Sequence, residues 1–188
     1  MKNKKLQITS SFVSGVITLF LILSVITPAN AAEKISLGEK ADAMHYRCEI
    51  VSVYSRLHRI STEYGEILIN ENEETIFHAS GEAQRAFNGV RKELADMYVP
   101  ENMKEPHEML IKSVSTYTQS ARSIEKSLGI YIGELEGTDE ESLELVEEGE
   151  QQVVLANEYL SQSLGMHDKL LSFDEDASKS CRKIVAGI

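Results

Sequence analysis

Apolar residues recur every three or four positions along most of the chain beyond residue 35, the period of a helix that buries one face. Four such segments are legible. The first runs from about Ser36 to Ile69 and carries Ala43, Tyr46, Ile50, Val53, Leu57, Ile60, Tyr64 and Ile67 on one stripe. Ser36-Leu37-Gly38-Glu39 fits a capping box at its start. The second runs from about Glu71 to Val99, with Ile76, Ser80, Ala83, Phe87, Val90, Leu94 and Met97 aligned. Pro100 stops it, because proline lacks a backbone donor and disfavours helix in the residue before it.

The third segment has the most regular stripe: Met103, His107, Leu110, Val114, Tyr117, Ala121, Ile124, Leu128, Tyr131 and Leu135. It spans about Met103 to Glu136, and Gly137 is the expected C-terminal cap. Thr138-Asp139-Glu140-Glu141 is a second capping box and opens the fourth segment. That segment aligns Leu143, Val146, Val153, Leu160, Leu164, His167 and Leu171. Glu150 and Asn157 fall on or beside this seam, so the fourth helix is the least apolar. The two polar positions mark either an exposed partner groove or a device that fixes helix register.

Short connections force neighbouring helices to run antiparallel. The expected fold is therefore all-α: an antiparallel up-down-up-down four-helix bundle. A long helical hairpin that dimerises would use the same stripes, so monomer and homodimer both remain open.

The first 31 residues break this pattern. A basic head (Lys2, Lys4, Lys5) precedes an apolar run from Phe12 to Thr27 and the small-residue sequence Pro28-Ala29-Asn30-Ala31. That order is the signature of a cleavable secretory signal peptide. Residues 1–31 are read as the signal and residues 32–188 as a single helical-bundle domain, periplasmic or secreted. A retained signal anchor is the competing reading; no second long apolar stretch exists, so the cleaved chain is expected to leave the membrane.

Cleavage sharpens the charge. It removes three of the 19 basic residues and none of the 30 acidic ones, leaving a formal charge of −14. Such a surface repels phosphate backbones, so nucleic acid is a poor partner. A basic partner protein or a cation would be attracted, although the same charge also serves solubility alone.

Cys48 and Cys181 are the only cysteines, and an exported chain with two is expected to hold one disulfide. If the fourth helix ran straight, Cys181 would overshoot Cys48 by far more than the roughly 7 Å a bridge tolerates. The chain is therefore expected to break at Ser172-Phe173-Asp174-Glu175, a third capping box. A short C-terminal helix carrying Phe173, Ala177, Cys181, Ile184 and Ile188 would fold back onto helix one beside Leu37, Ala41, Met44, Cys48 and Val51. Intermolecular bridging is the alternative.

The sequence holds no nucleophile elbow, phosphate loop, H-E-x-x-H, C-x-x-C-H or paired E-x-x-H motif, and the chain is not expected to be an enzyme. One distribution stands out. In the expected bundle, Met44, His45, Met97, Met103, His107, Met109, Met166 and His167 gather toward one end. Thioether and imidazole ligands suit copper(I). A Met and a His on different helices could also hold haem b, with Met44, His45, His107 and His167 as candidate ligands. Methionine also fills gaps in helical cores, so packing explains the same cluster.

Two functions are carried forward. The first is an exported interaction module, without cofactor, that binds a protein or peptide partner as an immunity protein, inhibitor, chaperone or sensor accessory would. The second is a copper- or haem-b-binding bundle.

Overall fold

The computed structural model describes residues 37–171 and Cys181, with side chains placed from residue 43 onward. The signal segment, the capping box at Ser36 and the C-terminal helix expected from Ser172 lie outside the described residues. Four helices pack against one another, and no strand occurs among the described residues. They are α1 (Leu37–Asn70), α2 (Glu73–Asp96), α3 (Lys104–Ile132) and α4 (Asp139–Leu171), with a 3-10 turn at Glu101–Met103 before α3. No helix among these residues is long and apolar enough to cross a membrane.

Local chemistry sets the ends. The Asn72 side chain accepts from the Thr75 amide at 3.0 Å, so α2 starts two residues later than the periodicity predicts. It ends at Asp96 rather than Val99, because Met97 turns extended (ψ 139°) ahead of Pro100. The third helix stops at Ile132, short of the expected Gly137 cap. Gly133 takes the left-handed conformation (φ 85°), and its amide bonds to the Ile130 carbonyl. Leu135 then folds back over Gly129 and donates its amide to the Gly129 carbonyl at 2.9 Å. Leu135 thereby leaves the predicted helical stripe; it and Tyr131, which stays in the last turn of α3, are exposed rather than core. The capping box at α4 forms as expected: the Thr138 amide bonds to Glu141 Oε2, and the Glu141 amide bonds to Thr138 Oγ1.

The closest pairing is that of α3 and α4, and hydroxyl-to-carbonyl hydrogen bonds mark it at four levels. Ser127 donates to the Ser142 carbonyl (2.7 Å), Ser120 to Gly149 (2.9 Å), Ser113 to Ala156 (2.8 Å), and Ser163 to Pro106 (2.6 Å). Numbers fall by seven on α3 as they rise by seven on α4, so the helices are antiparallel on a heptad seam of small residues. At Gly149 a Cβ would stand 2.9 Å from Ile124 Cδ1, which shows how little space the seam leaves. Leu143, expected on the core stripe, is instead exposed, because Ser142 takes the seam position.

Larger side chains separate the remaining pairs. Phe87 of α2 stacks on Tyr117 of α3 at 5.3 Å between ring centroids. Tyr64 of α1 bonds to Ser80 of α2 at 2.8 Å, and an exposed ion pair joins Arg56 to Glu93. Tyr46, Ile50, Val53, Leu57, Phe87, Leu94, Leu110, Val114, Ile124, Leu128 and Leu160 make a continuous core.

Cys48 and Cys181 form a disulfide with a Cα–Cα distance of 4.9 Å, and both residues are buried. The bridge joins two residues of one chain.

Candidate functional site

Burying a tyrosine hydroxyl or an imidazole in an apolar core requires partners for its polar atoms. At the Pro106 end of the α3–α4 seam all four helices contribute to one chain of such partners. It starts at the Leu94 carbonyl of α2, which lies 2.9 Å from His107 Nε2 of α3. His107 Nδ1 is 3.0 Å from the Tyr46 hydroxyl of α1, and that hydroxyl is 2.9 Å from His167 Nε2 of α4. His167 Nδ1 is 2.9 Å from the Tyr54 hydroxyl, which is 2.9 Å from Ser163 Oγ. Ser163 donates to the Pro106 carbonyl and so ends the chain.

Helical spacing explains the grouping. Tyr46 and Tyr54 lie eight residues apart on α1, and Ser163 and His167 lie four apart on α4, so each pair shares a face. Tyr46 and His167 are fully buried, and His107 is buried nearly as deeply.

A carbonyl can only accept, so His107 carries its hydrogen on Nε2 and presents a bare Nδ1 to Tyr46. From Leu94 to Pro106 the chain has six links: Leu94–His107, His107–Tyr46, Tyr46–His167, His167–Tyr54, Tyr54–Ser163 and Ser163–Pro106. Five neutral groups stand between the two carbonyls, and each brings one hydrogen. One link is always without a hydrogen. A 3.3 Å approach of Ser163 Oγ to His167 Nδ1 adds a contact but no hydrogen.

Burial pushes the Tyr46 and Tyr54 hydroxyls upward, and both stay protonated at neutral pH. Burial likewise lowers His107, against the opposing pull of the Leu94 carbonyl. His167 falls to about 4, first by burial and then by its proximity to His107.

Of the candidate metal residues, the structure brings His107 and His167 together and leaves His45 apart. The His45 side chain is 65% exposed and pairs with Glu49 at 3.4 Å. Met44 is partly buried. Tyr46, Tyr54 and Ser163 complete the cluster. Tyr46 reads as core in the sequence, on the stripe of α1, and no signal there marks its hydroxyl as a partner for histidines on two other helices. Ser163 was visible only as a polar residue one turn before His167.

The expected partner-groove residues lie elsewhere. Asn157 is half-buried and accepts a hydrogen bond from the Tyr117 hydroxyl, so it closes the α3–α4 seam. Glu150, two turns earlier on α4, is also half-buried. An open groove of about 660 Å³ lies instead at the far end of the α3–α4 pair. Ile130, Leu135 and Leu145 give it an apolar floor. Glu136, Glu141, Glu144 and Glu148 line it with carboxylates, and Lys126 supplies one positive charge.

No family model matches the chain, and no curated protein or solved structure matches it.

Proposed function

We propose that this chain is an exported, non-enzymatic interaction module that binds a basic amphipathic segment of a protein partner in the groove between α3 and α4. The reading includes removal of residues 1–31, an up-down-up-down bundle and a short C-terminal helix folded back onto α1. The observation that carries it is the acid-lined groove with an apolar floor. Ile130, Leu135 and Leu145 offer burial to apolar side chains, while four glutamates against one lysine favour Lys or Arg on the partner. The formal charge of −14 after cleavage steers the same class of partner toward the surface.

A photo-crosslinking residue at Leu145, in the full chain expressed in its native host, tests this reading. A partner crosslinked in the exported fraction, and lost when Glu136→Lys and Glu144→Lys reverse the groove charge, supports it. Crosslinks unchanged by the reversal, or none at all, overturn it. Mass spectrometry of the exported chain is expected to find Ala32 at its N-terminus; a start at Met1 would overturn the soluble, cleaved form.

A further inference from the structure

The Tyr46 cluster has the organisation of a ligand set rather than of a simple polar plug. We propose that Tyr46 Oη, His107 Nδ1 and His167 Nε2 form a three-donor site for one divalent transition-metal ion of imidazole preference, the class of Cu(II) and Zn(II).

Convergence is the first support. Two imidazole nitrogens from different helices meet at one phenol oxygen, at 3.0 and 2.9 Å. Donor atoms about 2.0–2.2 Å from a shared tetrahedral ion sit about 3.3 Å or more from one another, so the Tyr46 oxygen must draw back from both nitrogens for the metal to enter. Among the described residues no group of three His, Cys, Asp or Glu side chains could hold a metal ion. The proposed set differs from such a group in taking a phenol as its third donor.

Orientation is the second. A metal-bound histidine characteristically donates its other ring N–H to a fixed acceptor. His107 Nε2 faces the Leu94 carbonyl at 2.9 Å, and His167 Nδ1 faces the Tyr54 oxygen at 2.9 Å. Each ring thus has an acceptor behind one nitrogen while its other nitrogen faces the Tyr46 oxygen.

The hydrogen inventory is the third. With Tyr46 as a phenol, one of the six links lacks a hydrogen. When the ion binds, Tyr46 gives its proton to solvent, and three bonds form from Oη, Nδ1 and Nε2 to the metal. Four links remain: His107 N–H to Leu94, His167 N–H to Tyr54, Tyr54 O–H to Ser163, and Ser163 O–H to Pro106. Four hydrogens fill them, and every donor points the same way along its branch.

The donor set also fixes the class. Two imidazoles and a phenolate favour borderline divalent ions over soft Cu(I), which thioethers would select. His45, exposed and paired with Glu49, is no part of the set.

Cu(II) is the probe, because a phenolate on Cu(II) gives a visible charge-transfer band. The disulfide-intact chain would be loaded in two ways: by direct incubation, and by refolding from urea with one equivalent of Cu(II). By at least one route, one equivalent is expected to survive gel filtration, with the band present and about one proton released. Tyr46→Phe, checked for native helicity, should lose the band and the proton release. Tyr54→Phe should weaken binding about tenfold or more by removing the acceptor behind His167. His45→Gln should change nothing. Copper held equally by Tyr46→Phe, copper lost in His45→Gln, or no retention by either route would each overturn the site.

Discussion

Ser127 and Ser142 exchange hydrogen bonds in both directions: each hydroxyl donates to the other residue's carbonyl, at 2.7 and 3.0 Å. The pair ties α3 to α4 through backbone acceptors, which only short side chains on both helices allow. It is the first level of a seam whose other levels are Ser120–Gly149, Ser113–Ala156 and Pro106–Ser163.

That seam should be intolerant of volume. Gly149→Val places a branched side chain where even a Cβ meets Ile124 at 2.9 Å and the Ser120 carbonyl oxygen at 3.4 Å. The expected cost is about 1–3 kcal/mol, read from the urea midpoint. Leu143→Ala, on the exposed side of the same helix, should cost far less. Equal losses for the two variants would show that the seam does not control packing.

Stability should fall in mild acid. Unfolded histidine titrates at about 6.5, whereas burial holds His167 down to about 4 in the folded chain. Above pH 6.5 both states are neutral and the folded state keeps its full stability. Between pH 6.5 and 4 the unfolded chain takes up a proton that folded His167 refuses, so stability drops by on the order of 1–3 kcal/mol. The added proton would fill the empty link, but the cost of a buried charge exceeds one hydrogen bond. Urea midpoints measured from pH 7 to 4.5 should decline, and His167→Gln should flatten the decline. A midpoint that rises with acidification would contradict this sign.

Cys48–Cys181 should be an internal clasp. Non-reducing gels are expected to show a single-chain band that migrates more slowly after reduction, with no reducible dimer. Closing so long a loop constrains the unfolded chain, and reduction is expected to lower stability by about 2–5 kcal/mol.

Gly133→Ala isolates a backbone effect. Nothing crowds a Cβ at Gly133, but its φ of 85° disfavours any L side chain. A loss of about 1 kcal/mol in thermal or urea unfolding is expected. At Gly89, inside α2 with open space, alanine should instead stabilise by a few tenths to 1 kcal/mol.

Helix identity and most of the core were legible, because a 3–4 period survives in the residues that actually pack: Tyr46, Ile50, Phe87, Leu94, Leu110, Ile124 and Leu128. The α3–α4 seam was not, because its serines, glycine and alanine carry no apolar signal. A stripe drawn through large residues therefore placed Leu143 inward where Ser142 belongs. The end of α3 was missed because two glycines, Gly133 and Gly137, could each have capped it; the contact of Leu135 with Gly129 favours the earlier one. In the site, His107 and His167 stood out as seam histidines. Tyr46 did not, since an aromatic on a stripe gives no hint that its hydroxyl will sit between two imidazoles.

The two kinds of helix contact imply two different mechanical behaviours. Joined at four levels by short serine hydroxyl-to-carbonyl bonds, α3 and α4 should bear load as one beam, with each bond sheared only when both helices slide together. In contrast, α1 reaches α4 through the tips of Tyr46 and Tyr54, long levers that can swing before anything breaks. Pulled from its N-terminal end, α1 should peel away first, and Cys48–Cys181 should then act as a tether that limits its travel. In a single-molecule force trace this predicts a short first extension in the oxidised chain and a longer one after reduction. Equal first extensions would show that the tether carries no load.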